Sequence, residues 1–221
     1  MQEDAMQKSG LIQDGWIEVI CGCMFSGKSE EGGKRVTKEK LSKSRIPIIF
    51  VPRKSQRKLT LTFKQEQVDA TGKMVSRNGK SFDGIEFSTS NPDEIIDFIR
   101  EMTDPPTTVV IEEAHFCSDE LVEVCKKLAE EFRLRVIVIG LDQKFNGEGF
   151  GPIPRLMVEA EMVTKELAVC TECGSQNASK SWLDSRERKS LENGSILVGD
   201  TQYVALCRHC YREFEKNFGK Q

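Results

Sequence analysis

Residues 22–29, Gly-Cys-Met-Phe-Ser-Gly-Lys-Ser, fit the phosphate-binding pattern GxxxxGK[ST] and directly follow the apolar run Trp16 to Cys21. The motif works where a strand ends in a tight Gly-rich turn. There the backbone N–H groups surround phosphate oxygens, and a helix N-terminus behind them favours negative charge. Gly22, Met24, Phe25, Ser26 and Gly27 are then the candidate cradle, Lys28 reaches the terminal phosphates, and the Ser29 hydroxyl is a ligand for Mg²⁺. An ordinary Gly-containing turn would need none of this, and the preceding strand pattern favours the nucleotide reading.

A second set of residues has metal chemistry. Cys170-x-x-Cys173 and Cys207-x-x-Cys210 are two knuckles separated by 33 residues. Two thiolates from each close a tetrahedral Zn²⁺ site, and four thiolates leave no open position, so the zinc is structural. Disulfides are the alternative, disfavoured in a chain with no export signal. The other cysteines, Cys21, Cys23, Cys117 and Cys125, show no such pairing and read as small buried hydrophobes.

A phosphate loop needs a carboxylate at the end of a neighbouring strand, and Glu112-Glu113 follow the apolar Thr108-Val-Val-Ile111. One can serve Mg²⁺ while the other takes a proton from an attacking hydroxyl. The elements that position these groups alternate. Strands are expected at about 16–21, 46–51, 108–111 and 135–140. Helices are expected after Ser29, over 92–100 with Ile95, Ile96 and Ile99 inward, and over 118–133. That last helix is capped by Ser118 with Leu121, Val124, Cys125 and Leu128 inward. Asn78-Gly79 signals a hairpin turn. The pattern predicts a parallel sheet covered on both faces. Gly32-Gly33, at interior positions of the first helix, have no explanation in the sequence, since each costs about 1 kcal/mol relative to Ala.

With 221 residues, 38% hydrophobic and 30% charged, the chain can bury a full core with one domain and a small appendage. No apolar run is long enough to span a bilayer, and Met1–Gly10 lacks a signal core, so an intracellular, cytoplasmic protein is expected. The net charge of −3 hides a basic stretch: residues 34–64 hold eleven Lys or Arg against Glu39 alone. It is either a solvated basic face near an anionic nucleotide or a nucleic-acid surface. The absence of interleaved aromatics favours the first.

Taken in order, these motifs resemble the type II thymidine kinases, the cytosolic and bacterial family. The likeness covers about residues 15–212. It rests on the segment from Gly15 to Glu31, Ile111-Glu-Glu-Ala-His-Phe116, Gly140-Leu-Asp-Gln-Lys-Phe-Asn-Gly-Glu-Gly-Phe-Gly151, Ala160 to Lys165, and the double CxxC with Cys207-Arg-His-Cys-Tyr211. The resemblance implies an α/β, P-loop (RecA-like) parallel sheet flanked by helices over 15–165 and a zinc-ribbon and lasso domain over 166–221; residues 1–14, mostly polar, are expected to be a disordered N-terminus. It implies a kinase moving the ATP γ-phosphoryl group to the 5′-hydroxyl of deoxythymidine with Mg²⁺.

Glu113 matches the family's general base and Glu112 its metal-linked aspartate; Arg57 retains an arginine near the phosphates. Met24, Phe116, Leu141, Phe145 and Phe150 match the thymine enclosure. In the lasso, Ser181 stands where a threonine contacts the base, Leu197, Val198 and Gly199 read its edge, and Tyr203 packs by sugar and base. A homotetramer and feedback by thymidine triphosphate are further family properties. Departures are Glu112 for Asp, His115 for Gln, Cys117 for an aromatic, Ser55 for Asp, Val51 for Lys, Ser181-Trp182-Leu183 for Thr-Gln-Arg, and Gly32-Gly33 for apolar residues. Three functions stay open: an active thymidine kinase, a relative that binds nucleotide or nucleoside with weak transfer or shifted specificity, and a nucleic-acid-dependent ATPase.

Overall fold

The computed structural model describes residues 15–42, 45–53, 73–75, 81–183 and 203–218. Six parallel strands form the central sheet: β1 (Trp16–Gly22), β2 (Pro47–Pro52), β5 (Ile85–Phe87), β6 (Thr108–Ile111), β7 (Arg135–Leu141) and β8 (Met162–Glu166), in the order β5-β2-β6-β7-β1-β8. A separate antiparallel pair, β3 (Lys73–Val75) and β4 (Ser81–Asp83), brackets the expected Asn78-Gly79 turn, which itself lies outside the described residues.

Side chains alternate across the strands, so each strand supplies two faces. On one face Ile20, Ile49, Val51, Val110, Ile137 and Ile139 pack with Val36 of helix α1 (Lys28–Leu41). On the other, Val19, Cys21, Phe50, Val109, Ile111, Val136 and Val138 meet three helices: α2 (Glu94–Glu101), α3 (Leu121–Glu130) and α4 (Ile153–Glu159). This is why the strands read as continuous apolar runs, and it places Val51 in the core. It also accounts for a glycine in α1. A Cβ on Gly32 would lie 2.2 Å from Ile139 Cδ1, so the helix rests on β7 at a distance only glycine permits.

The same α1 face holds buried charge near the N-terminal ends of the strands. Glu18, 1% exposed, accepts from Arg135 Nε at 2.7 Å, Arg135 Nη2 at 3.0 Å and Trp16 Nε1 at 2.6 Å, and pairs with Arg35. Glu39 accepts from Arg135 Nη1 at 2.6 Å and Thr108 Oγ1 at 2.7 Å, with Arg45 at 3.4 Å. Burial pushes the Glu18 carboxyl up, but hydrogen bonds from Arg135 and Trp16 and the charges of Arg135 and Arg35 outweigh it and hold the group below its ordinary range. Two arginines of the basic stretch, Arg35 and Arg45, are thus occupied internally.

Replacing Arg135 with methionine takes from Glu18 and Glu39 the cation they share, leaving Arg35 and Trp16 on the first and Thr108 and Arg45 on the second, and the expected loss is about 3 kcal/mol by urea unfolding. Because the folded Glu18 pKa is depressed, its contribution is fully present above the unfolded-chain value and fades as pH falls through the lower folded value. Arg135→Met should therefore destabilise less in acid than at neutral pH.

The C-terminal residues build a second, smaller core. β9 (Lys180–Leu183) and β10 (Tyr203–Leu206) pair antiparallel, and helix α5 (Arg208–Phe218) packs beside them. Trp182 meets Tyr211 and Phe214 edge-on, each at 5.5 Å between ring centroids. Trp182 and Leu183, where the resemblance implies polar residues, are both buried, Trp182 within this core.

Most expected elements are present, with shifted ends. The helix expected from Ser118 begins at Leu121, and its cap position falls on Glu120 with no side-chain cap. Backbone bonds from Leu121 N–H to Ser118 O and from Val122 N–H to Asp119 O make the lead-in turn, so capping by Ser118 is not what starts the helix.

Candidate functional site

β1 runs into the phosphate loop and α1 begins at Lys28, the strand–loop–helix context the motif requires. Gly27 occupies the helix N-cap in the left-handed conformation (φ 87°, ψ 10°), where a Cβ would be strained. Glu31 N–H bonds Gly27 O at 3.0 Å as the helix forms. Gly22 is crowded by the Glu166 carbonyl and Ser26 Oγ, at 2.4 and 2.6 Å from a hypothetical Cβ, which excludes any larger residue. Phe25 is also left-handed (φ 65°), a strained geometry for an aromatic residue. Lys28 is 8% exposed and its Nζ lies 3.4 Å from the Cys23 carbonyl, inside the loop. Ser29 sits half-buried in the first helical turn.

The sheet order then aligns the other groups. β7 lies between β1 and β6, so the acidic tip stands two strand spacings, about 10 Å, from the phosphate loop. Glu112 is 3% exposed and its N–H bonds the Phe50 carbonyl at 2.9 Å. Glu113 is left-handed (φ 51°, ψ 33°) and opens a single 3₁₀ turn, Ala114–Phe116; its side chain is 40% exposed. The adjacent pair therefore splits into one buried and one accessible carboxylate. Between the two ends, Asp142 follows β7. It is buried, pairs with Lys165 of β8, and has an Oδ1 with no hydrogen-bond partner among the described residues.

His115 is buried beneath the tip. Leu141 N–H donates to its Nδ1 at 3.1 Å, and its Nε2 lies 3.2 Å from Glu113 Oε2, off the line of a good hydrogen bond. Burial, and after it the charge of Lys28, holds the imidazole well below its ordinary pKa, so it is neutral at pH 7. Phe116 and Phe150 flank it at 4.1 and 4.6 Å between centroids, and meet each other at 5.8 Å. Phe116 and Phe150 thus form with the His115 ring one cluster next to Glu113, reached by the Leu141 backbone.

The C-terminal core reaches directly onto the phosphate loop. Met24 N–H donates to Ser181 Oγ at 3.0 Å, and Cys23 Sγ approaches the Ala178 carbonyl at 3.3 Å. Cys23 and Phe25 pack into the core around Trp182. Phe145 joins from the other side, its carbonyl accepting from Tyr211 Oη–H at 2.8 Å, and Lys180 Nζ donates to Gln143 Oε1 at 2.6 Å. Ser181 is buried with its oxygen on the loop backbone. Tyr203 opens β10 opposite Leu183. Arg57, Ser55, Leu197, Val198 and Gly199 lie outside the described residues.

The sulfurs of Cys170, Cys173, Cys207 and Cys210 lie within 4.8 Å of one another, and Cys173 Sγ is 3.8 Å from Cys207 Sγ. Tetrahedral Zn–S bonds of about 2.3 Å place sulfurs about 3.8 Å apart, so the cluster fits zinc. All eight cysteines are free, which removes the disulfide reading. Burial pushes the thiols of Cys21 to about 11 and Cys117 to about 12, consistent with inert packing residues. Among the described residues no helix is long and apolar enough to cross a membrane.

A family model described as thymidine kinase matches residues 15–211, most of the chain. The chain belongs to the thymidine kinase family. Among solved structures, the ATPase DotB of Legionella pneumophila superposes with a TM-score of 0.42 at 12% identity, over 97% of this chain and 64% of that one, so this chain spans under two thirds of its length.

Membership fits a parallel sheet whose first strand runs into a phosphate-loop motif, beside a four-cysteine centre that fits zinc. Several residues around the phosphate loop and the acidic tip carried no assignment from sequence. Asp142 could have been found, since it ends an apolar strand just as Glu112 does. Lys165, Lys180 and Gln143 could not, because their partners lie on other elements.

Proposed function

We propose that this chain is an active thymidine kinase, transferring the γ-phosphoryl group of ATP to the 5′-hydroxyl of deoxythymidine. The observation that carries the reading is the row along the C-terminal edge of the sheet: phosphate loop after β1, Asp142 after β7, Glu112-Glu113 after β6. Lys28 and the loop N–H groups hold the phosphates, with Gly22, Met24, Phe25, Ser26 and Gly27 in the loop, and Arg57, outside the described residues, is assigned a phosphate contact by the family resemblance. Ser29 and Glu112 would hold Mg²⁺, an oxygen-seeking ion suited to a hydroxyl and a buried carboxylate, whose charge offsets that of the phosphate oxygens.

Glu113, the accessible carboxylate, takes the proton of the 5′-hydroxyl as its oxygen attacks the γ-phosphorus and ADP leaves. Met24, Phe116, Leu141, Phe145, Phe150 and Tyr203 are assigned to the base, and Leu197, Val198 and Gly199, outside the described residues, are assigned to its edge by the family resemblance. Ser181 contributes through the loop backbone it holds. The zinc cluster would join Cys170 and Cys173, ahead of β9, to Cys207 and Cys210, after β10. The reading also carries a homotetramer and thymidine triphosphate as a feedback ligand. For assembly the support is the outer strand β8, whose Met162 and Val163 are 50% and 41% exposed.

The test incubates the protein with Mg²⁺, γ-labelled ATP and thymidine, with and without DNA or RNA. Label in thymidine monophosphate, independent of nucleic acid, supports the reading. Tight thymidine binding without product supports a non-transferring relative. ATP hydrolysis that rises with nucleic acid and collapses with salt supports the ATPase.

A further inference from the structure

We infer that His115 is a positioning residue for phosphoryl transfer: its imidazole, with Nδ1 on the Leu141 N–H and Nε2 against the Glu113 carboxylate, sets the base and the nucleoside wall relative to each other. The inference rests on the kinase reading of the site and adds a residue to it.

The hydrogen-bond chemistry fixes the tautomer. Leu141 N–H donates to Nδ1 at 3.1 Å, so Nδ1 is the acceptor. A neutral ring then carries its proton on Nε2, which lies 3.2 Å from Glu113 Oε2, in contact with it though off the line of a good hydrogen bond. One side chain thereby touches the backbone where β7 ends and the carboxylate that follows β6. Those strands are neighbours, and the two groups they carry must act on one substrate.

The ring cannot drift. Phe116 and Phe150 flank it. A Cβ on Gly140 would stand 3.2 Å from both Nδ1 and the backbone nitrogen of His115, and one on Gly151 (φ 50°) would stand 2.3 Å from the His115 carbonyl oxygen. Two glycines therefore leave room for the residue and nothing more. Glu113 has the opposite problem: a long side chain, 40% exposed, on a left-handed backbone (φ 51°). Contact with a fixed ring narrows its range, and a misplacement of about 1 Å in a reacting group can cost about 10²-fold in rate. A glutamine amide offers the same acceptor and donor pair, so His115 performs with a ring what an amide could do. Phenylalanine fills the volume and offers neither.

The experiment compares wild type, His115→Gln and His115→Phe by kcat and KM for ATP and thymidine, with ¹⁵N spectra of histidine-labelled protein. The chain has two histidines, so His115→Gln assigns the signals. Expected results are a kcat loss of about 10–100-fold for His115→Phe with the ATP KM little changed, recovery of most of that loss in His115→Gln, and an unprotonated Nδ1 whose ring signals move in Glu113→Gln. A His115→Phe enzyme with wild-type kcat overturns the inference, as does His115→Gln failing as badly while melting like wild type. If wild type makes no thymidine monophosphate, the kinase reading fails and the spectra decide alone. An Nδ1-protonated ring, or signals indifferent to Glu113→Gln, overturns the positioning contact; the Nε2 tautomer with a response upholds it.

Discussion

Glu113→Gln lowers kcat for thymidine phosphorylation by about 10²–10⁴-fold, the range a positioned general base supplies, with the KM for ATP near its wild-type value. Glutamine keeps the size of the side chain and a hydrogen-bonding oxygen, but it cannot accept the 5′-hydroxyl proton. The ATP site should be indifferent, because Lys28 and the loop lie two strands away across β7. The neighbouring Glu112→Gln should behave differently. That carboxylate is buried and assigned to Mg²⁺, so its loss should show in the metal and ATP dependence as well as in turnover. If steady-state kinetics found the two variants alike, the division of the acidic pair into a buried and an accessible partner would have no catalytic meaning.

Removing the metal has the second large effect. Structural zinc contributes about 10–16 kcal/mol of apparent binding free energy in small zinc-finger peptides, so a module whose core is this limited should not stay ordered without it. The effect should reach ATP as well as the nucleoside, because Met24 N–H bonds Ser181 and Cys23 meets Ala178 at the edge of that module. Cys207→Ser, or chelation of wild type, should weaken binding of a fluorescent ATP analogue as well as abolish turnover.

Tryptophan emission reports the order directly. The chain has two tryptophans, and Trp182 is buried between Tyr211 and Phe214. In a Trp16→Phe background the remaining emission should shift to the red as zinc is withdrawn and return when it is restored. Unchanged emission and unchanged ATP affinity in metal-free protein would show that the cysteines do not hold this module.

What was legible in the sequence follows from how local each signal is. The strands at 108–111 and 135–141 announced themselves as unbroken apolar runs because both of their faces are covered. The phosphate loop and the cysteine knuckles are short patterns whose chemistry fixes their geometry. Sheet order was not legible: nothing near Glu112 says that β7 intervenes between it and Lys28. The short strands β5 and β8 were missed, three and five residues that are partly exposed. So was α4, whose Pro152 and Pro154 suggest a loop although the first is its cap and the second falls in its first turn. Gly32 is the sharpest case. Helix propensity alone makes it a defect, and only the position of Ile139 on another element makes it a requirement. Ser181 shows the same limit in the site, since its hydroxyl is held by the loop backbone, a contact across 157 residues.

The most direct measurement is a crystal structure with thymidine and a non-hydrolysable ATP analogue bound together. The account predicts the γ-phosphate among the N–H groups of residues 22–29, and the thymidine 5′-oxygen between it and Glu113, within about 2.6–3.2 Å of that carboxylate. A nucleoside bound elsewhere, or a Glu113 side chain turned away from the 5′-oxygen with both ligands in place, would contradict it.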